Sequence, residues 1–252
     1  MQLTDLTWPQ VQQLAPDTPV VFPVAALEQH GHHLPLFTDS YLLGEVIRRV
    51  SQEVGDRVLF APLQWLGNSD HHLDYHGTLS AAPRLYLDLL VGLAENFIKH
   101  GFRRLVFLNG HGGNDVPGRQ AVFELRQHHR ERNDLLLLFG TYWNLGAKSE
   151  GSVEGFTQQQ MGHACEWETS MMLQIAPNLV GDFQSLEPIA FGNSFEPGIR
   201  GWVTQDRSGP GHIGSPHLAT PEKGTLLLKR FSADAVSLLE RVIVWDGQSW
   251  EG

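Results

Sequence analysis

Four short, near-continuous apolar runs at 19–27, 57–63, 104–109 and 135–140 are each bounded by Gly, Pro, Asp or Asn. Runs of this length and character suit strands buried on both faces. Between them apolar residues return at helical spacing: Leu42, Leu43, Val46, Ile47 and Val50 within 40–54, then Leu87, Leu90, Leu93, Phe97 and Ile98 within 83–100. Stretches 115–130 and 219–244 also read as helix, as does a segment ending near Pro177. Strand alternating with helix predicts a layered α/β fold with a mainly parallel sheet. No internal repeat or charged linker divides the chain, so residues 1–252 are expected to form a single domain. Only 181–221, rich in Gly, Pro and Ser, lacks periodicity; a stretch of that kind is usually functional, as a site cover or an oligomer contact.

Composition narrows the class. A chain of 252 residues buries roughly three quarters of its unfolded surface, so it needs no metal merely to hold a core. Its 18 Lys and Arg against 28 Asp and Glu leave a net charge of −10, and no basic run is present, which argues against nucleic acid. A single Cys, Cys165, excludes an internal disulfide and a cysteine zinc module. Its apolar neighbours mark it as a packing residue rather than a nucleophile. Residues 1–20 lack a signal-peptide pattern and no stretch approaches the ~18 apolar residues of a membrane span, so the expected location is cytoplasmic, with no membrane partner.

Three clusters carry chemistry. Glu28-Gln-His30-Gly-His-His33-Leu-Pro follows the first strand and leads to Asp39. Glu28 and His30 lie two apart, so in an extended segment they project to one side and suit a shared divalent ion. Read alone, Asp39 is equally a helix N-terminal carboxylate and the histidines a solvated turn. Asn109-Gly-His111-Gly112-Gly113-Asn114 follows the third strand, at the carboxyl end where parallel sheets collect ligands. The third cluster runs from His163 to Leu173. Placed on a helical wheel, Glu168 falls within roughly 60° of Ala164, Cys165, Met171, Met172 and Ile175, so it faces the core and needs a partner there, an Arg, a donor network or a metal. On the same wheel Glu166 and His163 lie on the other side, at solvent or capping the first turn.

Together, Glu28-x-His30-Gly-x-x-Leu-Pro-x-x-x-Asp39, Asn-Gly-His111-Gly-Gly-Asn and His163-Ala-x-x-x-Glu168-Thr-Ser resemble the creatininase family of metal-dependent amidohydrolases. The likeness extends to His72-Leu-Asp-Tyr-His-Gly-Thr78, Thr141-Tyr-Trp143, Gly211-His-Ile-Gly-Ser-Pro216 and Glu222-Lys-Gly224. It implies a three-layer αβα fold, two divalent ions per chain, C–N bond hydrolysis and a homo-oligomer, commonly a hexamer. Carried over, Glu28 and His111 resemble ligands of one ion, His30 a ligand of the other and Asp39 the bridge between them. His163 resembles the catalytic acid/base and Trp143 a substrate wall. The family's glutamate ligand two residues after the Asn-Gly-His histidine is Gly113 here, and Glu168, or less favourably Glu166, is expected to replace it. A second family tryptophan is Gln159 here, which argues against creatinine itself as substrate.

The expected reaction is attack by a metal-bridging hydroxide on an amide, cyclic amide or formamide, with His163, assisted by Glu166, protonating the leaving nitrogen. Gly112 and Gly113 N–H groups are expected to steady the oxyanion. Mixed imidazole and carboxylate donors suit Zn, Mn or Fe. Rival readings are a peptidase acting on a modified peptide end, a catalytically silent metal-binding subunit, and a metal store using His32, His33, His71 and His72 at the surface.

Overall fold

The computed structural model describes residues 1–146, 155–192, 195 and 197–250; positions 193, 194 and 196 of the aperiodic 181–221 stretch lie outside the described residues. In chain order the main elements are α1 (Trp8–Gln12), β1 (Val20–Val24), α2 (Thr38–Val54), β2 (Leu59–Phe60), α3 (Pro83–Lys99), β3 (Arg104–Asn109), α4 (Asp115–His128), β4 (Leu136–Thr141), α5 (Glu166–Ile175) and α6 (Pro221–Val244). The strands form one fully parallel sheet in the order β2-β1-β3-β4.

Strand side chains alternate between two cores. Val20, Phe22 and Val24 of β1, with Leu105 and Phe107 of β3, pack under α3 and α4. Val21, Val106 and Leu108 pack with α2, α5 and α6 on the opposite face. Both faces are therefore covered, which is why the strands read as unbroken apolar runs, and the result is the three-layer αβα architecture.

Expectation and structure part at two elements that bear on the site. The run 57–63 yields only two residues of strand, Leu59–Phe60. Pro62 has no N–H for the ladder, and Pro23 opposite it in β1 has none either; the Pro23 carbonyl accepts from Gln64 N at 2.9 Å, so its missing donor falls on the β2 side. The segment after β2 is thereby released to cross the carboxyl ends of the strands. Helix α5 begins at Glu166, so His163 and Ala164 precede it. His163 exchanges two backbone hydrogen bonds with Ile213 (2.9 and 2.7 Å), and Ala164 takes a left-handed φ of 47° before Cys165 caps the helix.

No helix among the described residues is long and apolar enough to cross a membrane.

Candidate active site

Every cluster side chain arrives from the carboxyl end of the sheet. Glu28 and His30 follow β1, Asp39 lies in the first turn of α2, His111 follows β3 and Glu168 lies in the first turn of α5. All five are at least nine-tenths buried. Asp39 presents one oxygen to each histidine: Oδ1 lies 3.2 Å from His30 Nε2 and Oδ2 3.0 Å from His111 Nδ1. Glu28 Oε1 is 3.3 Å from His111 Nδ1, and Glu168 Oε1 is 3.7 Å from His30 Nε2. Donor atoms of Glu28, Asp39 and His111 lie within 4.8 Å of one another, as do those of His30, His163 and Glu168.

Main-chain carbonyls set the ring orientations. His30 Nδ1 donates to the Glu28 carbonyl (3.1 Å), His111 Nε2 to the Asn68 carbonyl (2.8 Å) and His163 Nε2 to the Gln29 carbonyl (2.7 Å). In each ring the other nitrogen is left with its lone pair aimed at carboxylates, the orientation that outer partners impose on metal-ligating imidazoles. Lone pairs facing oxygens across 3 Å converge on a cation rather than on each other. Glu28 Oε2 and Asp39 Oδ2 are buried with no hydrogen-bond partner, and such atoms are costly unless a charge meets them.

Charge balance points the same way. Burial opposes protonation of His111 and His30, yet the carboxylates of Glu28 and Asp39 around the first, and of Asp39 and Glu168 around the second, hold both well above the usual histidine range. Burial also opposes ionisation of Glu28, but His111 and His72 outweigh it and keep its carboxyl well below the usual range. The cluster demands positive charge; protons on His30 and His111 meet that demand when no divalent ion does. His163 behaves differently, since burial and its neighbours His72 and His30 keep it neutral.

Glu168 and Glu166 separate. Glu168 Oε2 accepts from Cys165 N at 3.3 Å, leaving Oε1 toward His30. Glu166, expected at solvent or as a helix cap, is instead fully buried: it pairs with Lys223 Nζ of α6 at 2.5 Å and accepts from Gln158 N at 3.2 Å. Gly224 of α6 packs directly on the Ser170 carbonyl of α5, close enough for the ammonium of the partly buried Lys223 to reach across. Trp143 follows β4, half-buried and edge-on to Tyr142 at 4.9 Å. At Gly112 a Cβ would meet open space, whereas at Gly113 it would lie 2.2 Å from the Asn68 carbonyl and 2.5 Å from His111 Nε2. The released segment after β2 occupies the space a side chain at 113 would need. Cys165 is buried, and burial pushes its thiol up to about 12, as suits a packing residue.

Two contributors were not singled out by sequence. The Gln29 side-chain amide donates to His72 Nδ1 (2.8 Å) and to the Gly211 carbonyl (3.0 Å), and its nitrogen lies 2.9 Å from His163 Nε2. His72 Nε2 stands 3.5 Å from Glu28 Oε1. Both belong to motifs quoted above, but only their convergence from distant segments reveals the contact. The surface-store reading fails, because His33 and His72 are buried and only His32 of the four named histidines is exposed.

The sequence model described as "Creatininase: Creatinine amidohydrolase" matches residues 4–239. The chain belongs to the creatininase family. It is 31% identical over 244 residues to a creatinine amidohydrolase of Pseudomonas putida, covering 89% of this chain and 90% of that one. It is 28% identical over 247 residues to a mycofactocin precursor peptide peptidase of Mycobacterium ulcerans, covering 93% and 86%. Among solved structures, a mutant creatininase of Zn–Zn type superposes with a TM-score of 0.81 at 26% identity, covering 97% of this chain and 98% of that one. This creatininase-family chain is a metal-dependent amidohydrolase, with the α/β fold of its relatives.

Proposed function

We propose that the protein is a single-domain dinuclear hydrolase of a small cyclic amide or formamide. In this reading Glu28, Asp39 and His111 would hold one divalent ion and His30, Asp39 and Glu168 the other, with Asp39 shared between them. The observation that carries it is the Asp39 carboxylate, with one oxygen 3.2 Å from His30 and the other 3.0 Å from His111. The unpartnered buried oxygens of Glu28 and Asp39 fit a cation pair, and the mixed donors suit Zn, Mn or Fe. Such ions supply Lewis acidity and bring the pKa of water from about 15.7 to near 7.

The chain's own groups do the rest. His163 keeps its Nε2 proton on the Gln29 carbonyl and holds Nδ1 3.6 Å from Glu28 Oε1, free to take a proton and pass it to the leaving nitrogen. Burial and the neighbouring His72 and His30 keep it neutral, with the Nδ1 lone pair available. Gly112 and Gly113 offer N–H groups to the developing oxyanion, and Trp143 walls the substrate. Glu166, taken up by Lys223 and the Gln158 backbone, positions the segment leading to His163 rather than relaying a proton.

A peptide end is the second substrate reading, favoured by the similarity to the mycofactocin peptidase over 93% of this chain. Convergence of five buried donors weighs against a silent subunit. A homo-oligomer, a hexamer by family resemblance, and a cytoplasmic location complete the reading; light scattering checks the first. Metal content per chain, measured on wild type and Glu168→Gln purified without chelator, tests the site. Two ions falling to one is the expected result, together with turnover of formamides or cyclic amides by the wild type. One ion or none in the wild type, unchanged by the substitution, would sink the dinuclear reading.

A further inference from the structure

A run of ring contacts leads outward from His111 to a cation. The His71 ring lies nearly parallel to that of His111 with centroids 6.0 Å apart, Trp202 meets His71 edge-on at 5.2 Å, and the Arg207 guanidinium sits over the Trp202 indole at 4.8 Å. The segment supplying Trp202 and Arg207 is fastened to the site along its length. Thr204 Oγ1 donates to the His71 carbonyl (2.8 Å) and touches His72 Nδ1 (2.7 Å), and the Tyr75 hydroxyl donates to the Ser208 carbonyl (2.5 Å). Gln29 holds Gly211, and Ile213 pairs with His163. Residues 202–213 are thus a strap fastened over the site, and the strap carries an aromatic ring under a cation.

Arg207 is half-buried, and among the described residues no carboxylate lies within 4.0 Å of its guanidinium. In a chain of net charge −10, where Arg57, Arg103 and Arg132 all find carboxylates, Arg207 is held instead over an aromatic face, at the end of the ring contacts that start at His111, which leaves its fork for a ligand. Its planar fork matches a carboxylate or a phosphate through two parallel hydrogen bonds.

We propose that His71, Trp202 and Arg207 form the wall that receives the end of the substrate remote from the scissile amide, and that Arg207 there takes an anionic oxygen group, a carboxylate or a phosphate. This rests on the amide-hydrolase reading and narrows it to amides bearing an anion at their far end.

Calorimetric binding of three probes to the metal-loaded protein tests it: 4-formamidobenzoate, 4-formamidophenyl phosphate and the neutral 4-formamidobenzamide. At least one anionic probe is expected to bind about tenfold or more tighter than the neutral one, with the preference falling to about one in Arg207→Gln and partly restored in Arg207→Lys. Whichever anion binds tighter identifies the source. No preference in the wild type, or a preference unchanged in Arg207→Gln, overturns the proposal. Because the preference is read from binding constants, with KM taking their place for any probe that turns over, a preference that depends on Arg207 in a protein that hydrolyses none of the probes upholds the wall while counting against the hydrolase reading.

Discussion

The chain gathers His and Glu side chains twice, and the two gatherings differ in everything but donor type. Glu95 of α3 with His128 and His129 at the end of α4 brings donor atoms within 4.8 Å of one another on the outer face, where His129 Nε2 meets Glu95 Oε1 at 2.9 Å and His128 is exposed. Water satisfies what the protein leaves open there, so the pair belongs with surface ion pairs, whose contribution is about 0–1 kcal/mol. At the carboxyl ends of β1 and β3 the same residue types are buried, their rings are turned by main-chain carbonyls, and two carboxylate oxygens have no partner. Proximity of donors is common; burial with fixed lone pairs and unmet charge is what makes a site.

The sharpest way to break this contrast is to remove the bridge. Asp39→Ala is expected to lose bound metal and to slow hydrolysis by about a thousandfold or more, since metal charge stabilisation supplies several kcal/mol and each ~1.4 kcal/mol is tenfold. Glu95→Ala should leave metal content and rate unaltered; a fall in metal content there would place a resident ion on the outer face. His163→Ala is expected to keep its metal and lose about 10²–10⁴ in kcat, and wild-type turnover would remove its assigned role.

Buried and exposed ion pairs extend the contrast to stability. Lys223→Met strands a Glu166 carboxylate that is wholly buried, an expected loss of about 3–5 kcal/mol in urea unfolding. Arg57→Ala breaks a pair with Glu240 that is nearly half exposed on each side, and should leave the unfolding midpoint almost where it was. Adjacent glycines repeat the lesson on a smaller scale. Gly113→Ala forces a Cβ against the Asn68 carbonyl and should destabilise by about 1–3 kcal/mol, whereas Gly112→Ala should stay within about 0.5 kcal/mol.

A pH slope sharpens the contrast further. Burial, with His212 and His30 adding to it, lowers His33 to about 4, while its Nε2 meets Thr169 Oγ1 at 2.8 Å. The unfolded chain binds this proton near pH 6.5 and the folded one only near 4, so the unfolded state holds more protons between those values. Stability is therefore full above about pH 6.5 and declines by up to about 1.4 kcal/mol per unit as pH falls toward 4. His33→Gln should flatten that slope in pH-dependent unfolding; an unchanged slope would show that His33 titrates normally.

Much of this was legible in one dimension. The apolar runs at 104–109 and 135–140 became β3 and β4, and the periodic stretches became α2, α3, α4 and α6, because a strand covered on both faces and a helix with one apolar stripe each leave a local signature. The turns after β1 and β3 placed their donors at strand ends for the same reason. Glu168 was legible too, since its angular position follows from helix geometry within a few residues of Met171 and Met172.

The rest depended on contacts between distant segments. Whether Glu166 meets solvent or a cation depended on α6 laying Lys223 across α5, a separation of 57 residues along the chain. Whether position 113 has room for a side chain depended on Pro23 and Pro62 ending β2 early and sending Asn68 over His111. The aperiodic stretch had no periodic pattern to read, and what lays its residues 204–213 over the site is a set of hydrogen bonds to Gln29, His71, Tyr75 and His163, all distant in sequence. Sequence alone determined which groups stand at the ends of the strands, because backbone periodicity is local; only the tertiary structure decided which of them are buried, which carbonyl turns each ring and which charge goes unmet, because those are properties of the space between elements.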